Sequence, residues 1–402
     1  MIVPTGDLAG ATRGSPWDVI VLGAGPAGSM AARLLALSGA SVLLVDRNVF
    51  PREKVCGACL NGQSLDVLRS AGLGRLPEQL GGVPLDAFVV GHAGRTARFA
   101  LPGGFAVSRS RLDQALAQSA VEAGAEFVAG TRGTILGIDR SDPRSEDSTR
   151  PVRLSLGNQE VTIGAKVVVA ASGLGGIGPS HLPPFQTLIS EGSRIGAGCH
   201  VNDYPDFYRP GPIFMAVGRS GYVGLARIEG GALNVASAID RPFLARCGSP
   251  GEASARILDE AGFPAISRLG EADWKGTLSL TRRVRPLGAD RLFLIGDACG
   301  YVEPFTGEGM GWAFLSAQAV VPLVIRGLAG WEPSLVSEWE VLHRSRIGRR
   351  QRACRALARL LRHAWMTRAA FELASRVPSA AQGIIERMTR SPAPSPTRPQ
   401  LT

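Results

Sequence analysis

The strongest chemical pattern in the sequence is a set of three glycines followed by one acidic residue. Gly23, Gly25 and Gly28 follow an apolar run, and Asp46 ends a second apolar run. Between a strand and a helix, such glycines allow a tight turn, close approach of a pyrophosphate to the backbone, and close packing of the helix on the strand. A carboxylate roughly 20 residues further on suits the ribose hydroxyls. The pattern predicts a dinucleotide site; the alternative is a glycine-rich turn without a ligand.

A second glycine-rich turn follows another apolar strand. That strand leads to Asp297, and Gly307, Gly309 and Met310 lie at the predicted start of a long helix. The N-terminus of a helix has unpaired N–H groups and a partial positive charge, so it favours an anionic ligand. Glu308 lies in the same turn, where it either relays a proton or complements the helix dipole. The two patterns together predict that distant parts of the chain converge on one dinucleotide.

Basic and thiol side chains lie shortly after Asp46. Arg47 and Lys54 are candidate partners for phosphate groups, and Cys56 forms a Cys-x-x-Cys pair with Cys59. Three interpretations of this pair stay open, which are a redox dithiol, a single cysteine beside a cofactor, and plain packing. No second ligand pair at metal spacing accompanies it, so we predict no metal site.

The predicted elements around these motifs indicate an α/β fold with a second sheet. Three parts of the chain are expected to form the dinucleotide-binding domain: residues 17–80, 108–180 and 286–330. Residues 81–107 and 181–285 show period-two alternation, which is typical of a mostly antiparallel sheet, and we assign them to a substrate domain. The pattern at 331–390 is helical. Residues 391–402 are proline-rich and predict a disordered tail.

Length and composition limit the class of protein. The chain has 402 residues, of which 45% are hydrophobic, enough for two closely joined domains with a large core. Residues 1–16 lack the features of a signal peptide, and no apolar run reaches the roughly 18 residues of a membrane span. Six scattered cysteines do not make a disulfide framework. We therefore expect a cytoplasmic protein with reduced thiols.

The formal net charge of +10 comes almost wholly from arginine, and much of it lies near the C-terminus. The predicted C-terminal helices contain these arginines: Arg346, Arg349, Arg350, Arg352, Arg355, Arg359 and Arg362. Such helices either contact a membrane surface peripherally or present arginines to solvent while packing on the body of the protein. We expect no nucleic-acid partner.

The separated motifs resemble those of one group of flavoproteins. The group includes geranylgeranyl reductases, flavin-dependent halogenases and para-hydroxybenzoate hydroxylase-like monooxygenases. The similar segments are residues 23–28 followed by Asp46, residues 107–113, and residues 296–310, and the resemblance extends over roughly residues 17–330. It implies FAD as the cofactor. It also implies a glutathione-reductase-like Rossmann domain with an inserted, mostly antiparallel sheet domain, to which the helical C-terminus is added.

The resemblance implies a role for each matching residue. It assigns the pyrophosphate to Gly23, Gly25, Ala27 and Gly28, and the ribose to Asp46. It puts Arg109 against the cofactor and Asp297 at the ribityl or pyrophosphate region. Gly309 and Met310 would lie near the pyrimidine edge of the flavin. Because reduced flavin carries negative charge near that edge, the helix that begins around Gly307 would stabilise it.

The segment at 51–57 is most similar to the geranylgeranyl-reductase branch, in which a cysteine and a glycine, here Cys56 and Gly57, lie beside the flavin. Other branches fit less closely. Halogenases carry a Trp-x-Trp segment that this chain lacks, and aromatic hydroxylases carry Asp-Gly where this chain has Ser172-Gly173. Prenyl reductases often have an aromatic-rich segment where this chain has residues 221–228.

These observations predict an FAD-dependent oxidoreductase that acts on a hydrophobic small molecule, isoprenoid, aromatic or polyketide-like. The expected reaction is reduction or formation of a C=C bond, or monooxygenation, with NAD(P)H or a partner flavin reductase as electron source. Cys56 and Glu308 are the candidate catalytic residues. Alternatives are a halogenase, a flavin-coupled dithiol enzyme using Cys56 and Cys59, and a non-enzymatic flavin-binding or basic surface-binding protein. Five aromatic residues are candidates for the pocket lining: Tyr204, Phe207, Tyr208, Phe214 and Tyr222.

Overall fold

The computed structural model describes residues 6–138, 149–175, 185–303, 305, 307–360, 362, 366–369, 372 and 383. The tail predicted at 391–402 lies outside these residues, as does most of the helical pattern beyond residue 360.

The first sheet has eight strands in the described part of the chain, with the order β19-β20-β11-β1-β2-β8, and β10 and β9 extend it beside β11. Its strands are β1 (Trp17–Leu22), β2 (Val42–Val45), β8 (Glu126–Val128), β9 (Arg132–Ile135), β10 (Arg150–Leu156), β11 (Gln159–Ala170), β19 (Gly288–Ala289) and β20 (Leu292–Leu294). The central pairs are parallel. All of β2 and nearly all of β1 are buried, as expected for parallel strands covered on both faces.

Helices pack on this sheet, and further helices follow them toward the C-terminus. Their bounds are α1 (Leu8–Arg13), α2 (Pro26–Leu37), α3 (Gly62–Ser70), α4 (Leu76–Gln79), α5 (Arg109–Glu122), α8 (Gly309–Ala329), α9 (Ser334–His343) and α10 (Arg349–Leu360), with a π-helical turn at Arg344–Gly348 between the last two. Among them α2 packs against both α5 and α8. The two glycine-rich turns therefore open onto neighbouring helices.

Helix α8 is more apolar than the sequence led us to expect. Within the described residues it alone is long and apolar enough to cross a membrane by length and composition, although 61% of its most apolar stretch is buried inside the protein. It packs on α2, α3 and β11. We therefore describe α8 as a core helix of the first domain.

The second sheet has the order β17-β13-β16-β15-β14-β5-β6. Its strands are β5 (Ala87–His92), β6 (Arg95–Ala100), β13 (Ile195–Val201), β14 (Pro212–Gly218), β15 (Gly221–Arg227), β16 (Leu233–Ile239) and β17 (Lys275–Ser279). All pairs are antiparallel except β14 with β5. Helix α7 (Pro250–Ala261) covers one face, and α6 (Arg241–Cys247) precedes it. The predicted fold class is confirmed.

Two small sheets join the main ones. The first contains β12 (Gln186–Ile189), β18 (Arg282–Arg285) and β21 (Gly300–Tyr301), and the second contains β3 (Cys59–Asn61), β4 (Val83–Pro84) and β7 (Gly104–Ala106). Consequently, not every strand within residues 81–107 and 181–285 belongs to the second sheet.

Candidate functional site

A cavity of about 640 Å³ lies between the glycine-rich turns of the first domain and the open face of the second sheet. Gly25 and Ala27 from the first turn line it, and so do Asp297, Gly309 and Met310 from the second. The two turns also touch directly, because a Cβ atom at Gly296 would lie 2.9 Å from that of Ala27. The predicted convergence of distant motifs is therefore present.

The three glycines of the first turn differ in what surrounds them. Gly23 has φ +107°, and a Cβ atom there would lie 2.5 Å from the carbonyl oxygen of Ala171. A Cβ atom at Gly28 would lie only 1.8 Å from the Gly23 oxygen. Gly25 instead faces the cavity, and its Cβ atom would meet guanidinium nitrogens of Arg52 and Arg109 at 3.6 and 3.7 Å. Gly23 and Gly28 thus close the turn, while Gly25 leaves room for an anion between two cations.

Asp46 is buried and organises the turn. Its carboxylate accepts hydrogen bonds from the backbone N–H groups of Ala24 (2.8 Å) and Asn48 (2.9 Å). Arg47 and Asn48 line the cavity, whereas Asp46 is not among the lining residues. The ribose contact assigned to Asp46 therefore stays a prediction, and the observed contacts are those that hold the glycine turn against β2.

A buried network of two arginines and two aspartates supports the same turn. Arg109 forms two hydrogen bonds of 2.8 Å to Asp113, which is fully buried. Arg52 lies 3.2 Å from Asp113 and 3.4 Å from Asp46. Burial alone would lower the pKa of Arg109, but the Asp113 carboxylate outweighs burial, so the pKa lies above its ordinary value. Within the described residues, buried Nε of Arg52 has no partner, so this network retains a donor for a ligand.

Our site prediction missed Arg52 and Asp113. A signal for Asp113 was available, because Arg109 and Asp113 are four residues apart and therefore share one face of a helix. No comparable spacing links Arg52 to Asp46 or Asp113, since its ion pairs depend on the path of the loop after β2.

Lys54 and Asp297 both line the cavity, and their charges affect one another. Burial lowers the pKa of Lys54, and the nearby charge of Arg109 lowers it further, while Asp297 opposes this effect. Burial raises the pKa of Asp297, and Lys54, Arg109 and Arg282 oppose that change. Lys54 also approaches Gly173, where a Cβ atom would lie 2.9 Å from its Nζ. The protonation states of Lys54 and Asp297 thus depend on each other and on the charge of Arg109.

Both cysteines of the Cys-x-x-Cys pair line the cavity, but their surroundings differ. Cys56 is partly buried, it lies close enough to Arg109 to raise the pKa of that guanidinium, and its carbonyl accepts from Nδ2 of Asn234 at 3.0 Å. Burial raises the pKa of Cys59 to about 12, and its thiol donates to the Gly57 carbonyl. Both are free thiols. Because Cys59 stays protonated at neutral pH, the geometry favours Cys56 alone over a dithiol.

Glu308 does not line the cavity, although its neighbours in the chain do. Gly307, Gly309 and Met310 line the cavity, whereas the Glu308 carboxylate is buried and accepts a hydrogen bond from Sγ of Cys354 at 2.7 Å, on α10. Burial raises the pKa of Glu308, and the Cys354 contact opposes this change. The observed contacts attach α10 to the start of α8, and the proton-relay role stays a prediction.

The far end of the cavity is mostly apolar. Alternate residues of β14 divide between the two faces of the sheet: Ile213 and Met215 line the cavity, and Phe214 packs toward α7. The apolar lining includes Phe88, Ile213, Met215, Tyr222, Leu225, Leu280 and Phe305. Gly224 and Gly276 leave additional space.

Of the five aromatic residues expected to line the pocket, Tyr222 does so. Phe207, Tyr208 and Phe214 instead form an aromatic cluster with Phe263 on the opposite face of the second sheet. Tyr204 packs at the edge of that cluster. The expectation was wrong for Phe214 because neighbouring residues of a strand occupy opposite faces of the sheet. It was wrong for Tyr204, Phe207 and Tyr208 because they lie in the connection between β13 and β14, which packs on the α7 side.

The arrangement fits FAD. The Gly25 turn admits a pyrophosphate between two guanidinium groups, and the cavity extends from there to the start of α8. Among the described residues, Nε of the lining residue Arg52 has no hydrogen-bond partner. A family described as FAD binding domain matches residues 16–188.

Similar proteins fall into several functional classes. The chain is 28% identical to digeranylgeranylglycerophospholipid reductase 1 of Methanothermobacter thermautotrophicus over 375 residues, covering 84% of this chain and 82% of that protein. It is 27% identical to menaquinone reductase of Mycobacterium tuberculosis, covering 86% and 84%. The chain is 26% identical to conditioned medium factor receptor 1 of Dictyostelium discoideum over 74% of its own length, and the match spans 61% of the length of that protein.

Solved structures share the fold at lower sequence identity. The flavin-dependent brominase Bmp2 superposes with a TM-score of 0.75 at 19% identity, covering 93% of each chain. The myxobacterial chondrochloren halogenase CndH gives a TM-score of 0.72 at 20% identity, covering 93% of this chain and 92% of that one.

Proposed function

We propose that this chain reduces a C=C bond of an isoprenoid-like substrate. It is an FAD-dependent oxidoreductase of the group that includes geranylgeranyl reductases, flavin-dependent halogenases and para-hydroxybenzoate hydroxylase-like monooxygenases. The observation that carries this proposal is one continuous cavity, which extends from the charged glycine turn to the apolar face of the second sheet and has Cys56 in its lining. An extended hydrophobic molecule at the apolar end would present a double bond to the cofactor end.

Two relatives support the substrate class. Their names give a digeranylgeranylglycerophospholipid and a menaquinone as the molecules they reduce. Both are lipids with isoprenoid chains. The apolar lining from β14, β15 and Phe305 suits such a chain, since burying apolar surface is favourable at about 25 cal/mol per Å².

Residues of this chain would divide the work as follows. Arg52 and Arg109 bind the pyrophosphate, and the N-terminus of α8 stabilises negative charge at the ring end. Bound FAD, once reduced, supplies a hydride. The apolar wall excludes water and orients the chain of the substrate. Cys56 Sγ is the group that we assign to the reacting end of the substrate, where it holds a proton for the carbon that does not receive the hydride.

We assign NAD(P)H as the electron donor, with a partner flavin reductase as the alternative. In this assignment the nicotinamide approaches the flavin through the same cavity. Stopped-flow measurement of flavin bleaching tests this assignment. Rapid bleaching by NADH or NADPH supports it, and bleaching only when a flavin reductase is added supports the alternative.

The reaction itself can be tested without knowing the donor. The FAD-loaded protein is reduced with dithionite under anaerobic conditions and mixed with menaquinone or geranylgeraniol. Products are reoxidised with ferricyanide, which returns any menaquinol to the quinone, and are then analysed by mass spectrometry. We expect a product heavier by two hydrogen atoms, in lower yield with Cys56→Ser. A product that gains an oxygen atom only after air is admitted would instead indicate a monooxygenase, and unchanged substrate in both arms would refute the proposal for these substrates.

Halogenation is the second candidate, and one observation favours it. Lys54 and Lys275 both line the cavity although the chain contains only three lysines. A lysine amine that handles hypohalous acid is a feature of halogenases, and the lowered pKa of Lys54, caused first by burial, increases its neutral fraction. The aerobic arm is therefore repeated with bromide and a phenol. A brominated product that disappears with Lys54→Arg, which keeps FAD bound but has no neutral amine, or with Lys275→Met at unchanged FAD content, would favour this candidate.

A further inference from the structure

Two strands of a small sheet form an exposed face that carries both charge and apolar surface. Leu188 on β12 pairs directly with Arg283 on β18, and opposed residues of an antiparallel pair point to the same side. Arg285 lies two residues further along β18 and therefore shares that side. Both arginines are exposed, and 61% of Leu188 is exposed as well.

Helix α10 adds a second row of arginines beside this strand pair. Arg352, Arg355 and Arg359 are three and four residues apart, so they occupy one stripe of the helix. Gln351, Cys354 and Ala358 form the buried side. The stripe lies beside the strand pair, because Arg362, just after the end of α10, donates a hydrogen bond to the carbonyl of Gly192, three residues after β12. Consistent with this placement, the pKa of Arg355 is lowered first by burial and then by the positive charge of Arg283. We call Leu188, Arg283, Arg285, Arg352, Arg355 and Arg359 the basic face.

The arginines of the basic face are not paired with acidic side chains in the described part of the chain. Within the residues that the structure describes, none of its five arginines forms an ion pair, whereas other exposed arginines do. Arg326 lies 2.6 Å from Glu338, for example, and Arg268 is paired with Glu271. Like charges repel one another, so an uncompensated cluster of this kind is stabilised by an anionic partner.

From this arrangement we propose that the basic face docks on a lipid bilayer that contains anionic headgroups. Arginines near such a surface attract it additively, and the attraction decays within a Debye length. Arginines spread over two neighbouring elements fit an extended anionic surface. The exposed side chain of Leu188 fits the boundary between headgroups and acyl chains, which a soluble polyanion does not offer.

The basic face lies close along the chain to the mouth of the cavity. Leu278 lines the cavity and is 56% exposed, and only two residues separate β17, which contains it, from β18. Docking would therefore bring the cavity mouth near the membrane, which suits a substrate that resides in the bilayer. This connection to substrate rests on the proposed function, whereas the docking itself does not.

Vesicle co-sedimentation of the full, FAD-loaded chain tests the proposal. We compare phosphatidylcholine vesicles with and without phosphatidylglycerol, at low and high salt. We expect binding that requires phosphatidylglycerol and falls with salt. The triple variant Arg283→Glu, Arg352→Glu, Arg359→Glu should lower affinity by roughly 100-fold, because each arginine contributes a similar share of the attraction. Leu188→Ser should lower it several-fold with the same dependence on salt.

A matched control reverses three exposed arginines elsewhere on the protein, at Arg209, Arg219 and Arg256. It changes net charge equally and should retain most vesicle binding. Equal loss in both triple variants, or equal binding to both kinds of vesicle, would overturn the proposal. So would retention on heparin without sedimentation with vesicles, or a dimer on gel filtration that the basic-face variant abolishes. FAD absorbance of each variant verifies folding.

Activity in detergent separates this proposal from the proposed function. With substrate dispersed in detergent, the basic-face variant should turn over at the rate of the unmodified chain, because its cavity is unchanged. Absence of turnover in the unmodified chain with intact vesicle binding would refute the proposed reaction and leave the docking surface in place.

Discussion

The two ends of the cavity are built in different ways. At the cofactor end, charged side chains are held by short contacts: Arg109 to Asp113 at 2.8 Å, and Arg52 to Asp113 at 3.2 Å. At the apolar end, the lining comes from alternate residues of strands in the second sheet, with glycines such as Gly224 between them. The first end specifies one ligand by charge and hydrogen bonding, whereas the second admits a class of molecules by shape and apolarity.

This difference indicates where specificity can change without loss of the cofactor. Substituting a residue of the Asp113 network would leave a buried charge without its partner, which is strongly destabilising. Substituting Met215 or Gly224 alters only the volume of the apolar end. Relatives with different reactions can therefore share the same cofactor site.

The largest expected effect comes from Gly25→Val at the cofactor end. Gly25 has extended backbone angles that any residue adopts, φ −82° and ψ −174°, so the fold should tolerate the change. The added methyl groups would occupy the space between Arg52 and Arg109. We expect FAD affinity to fall by roughly 100-fold, measured by titration of the apoprotein. The melting temperature of the apoprotein should stay unchanged.

Gly137→Val is the matched control for this change. No atom lies within 4 Å of a Cβ atom at Gly137, and the residue does not line the cavity. Its FAD affinity should equal that of the unmodified chain. Stoichiometric FAD in purified Gly25→Val would mean that the pyrophosphate lies elsewhere.

Gly224→Leu should separate the two ends most clearly. A Cβ atom at Gly224 would meet the flexible end of Met215 at 3.4 Å and the carbonyl oxygen of Ala236 at 3.7 Å, an ordinary contact distance, so the larger side chain can extend into the cavity. We expect unchanged FAD content and roughly tenfold weaker binding of geranylgeraniol, corresponding to about 1.4 kcal/mol. Perturbation of the flavin absorbance spectrum reports this binding. Shorter geraniol should bind as before, and loss of FAD would contradict the separation.

At the boundary between the ends, Lys54 should make FAD binding depend on pH. Burial and Arg109 lower its pKa below the ordinary 10.5, and a protonated Lys54 binds an anion better. Affinity should therefore fall as pH rises through that lowered pKa, by several-fold in total. Lys54→Arg stays charged and should bind equally at all these pH values. Lys54→Met should be weak throughout, and a pH dependence retained in Lys54→Met would exclude Lys54 as its source.

The sequence predicted the cofactor end much better than the apolar end, for a physical reason. Gly25 and Asp297 lie in contiguous motifs whose geometry is set locally by a turn and a helix start. The apolar lining depends on strand order and register, so Ile213 faces the cavity while its neighbour Phe214 faces α7. Local pattern shows that β14 alternates but not which set of residues faces the ligand.

The smallest expected effect is that of Cys59→Ser. Burial raises the pKa of this thiol to about 12, so the thiolate needed for disulfide exchange is rare at neutral pH. Its hydrogen bond to the Gly57 carbonyl can be replaced by the serine hydroxyl. We expect turnover within about twofold of the unmodified chain. Cys56→Ser, measured beside it, should lose most of the turnover, because Cys56 is the cysteine that we assign to proton transfer in the proposed reaction. Equal losses in the two variants would instead require both sulfurs in the reaction, because a dithiol cycle stops when either partner is removed.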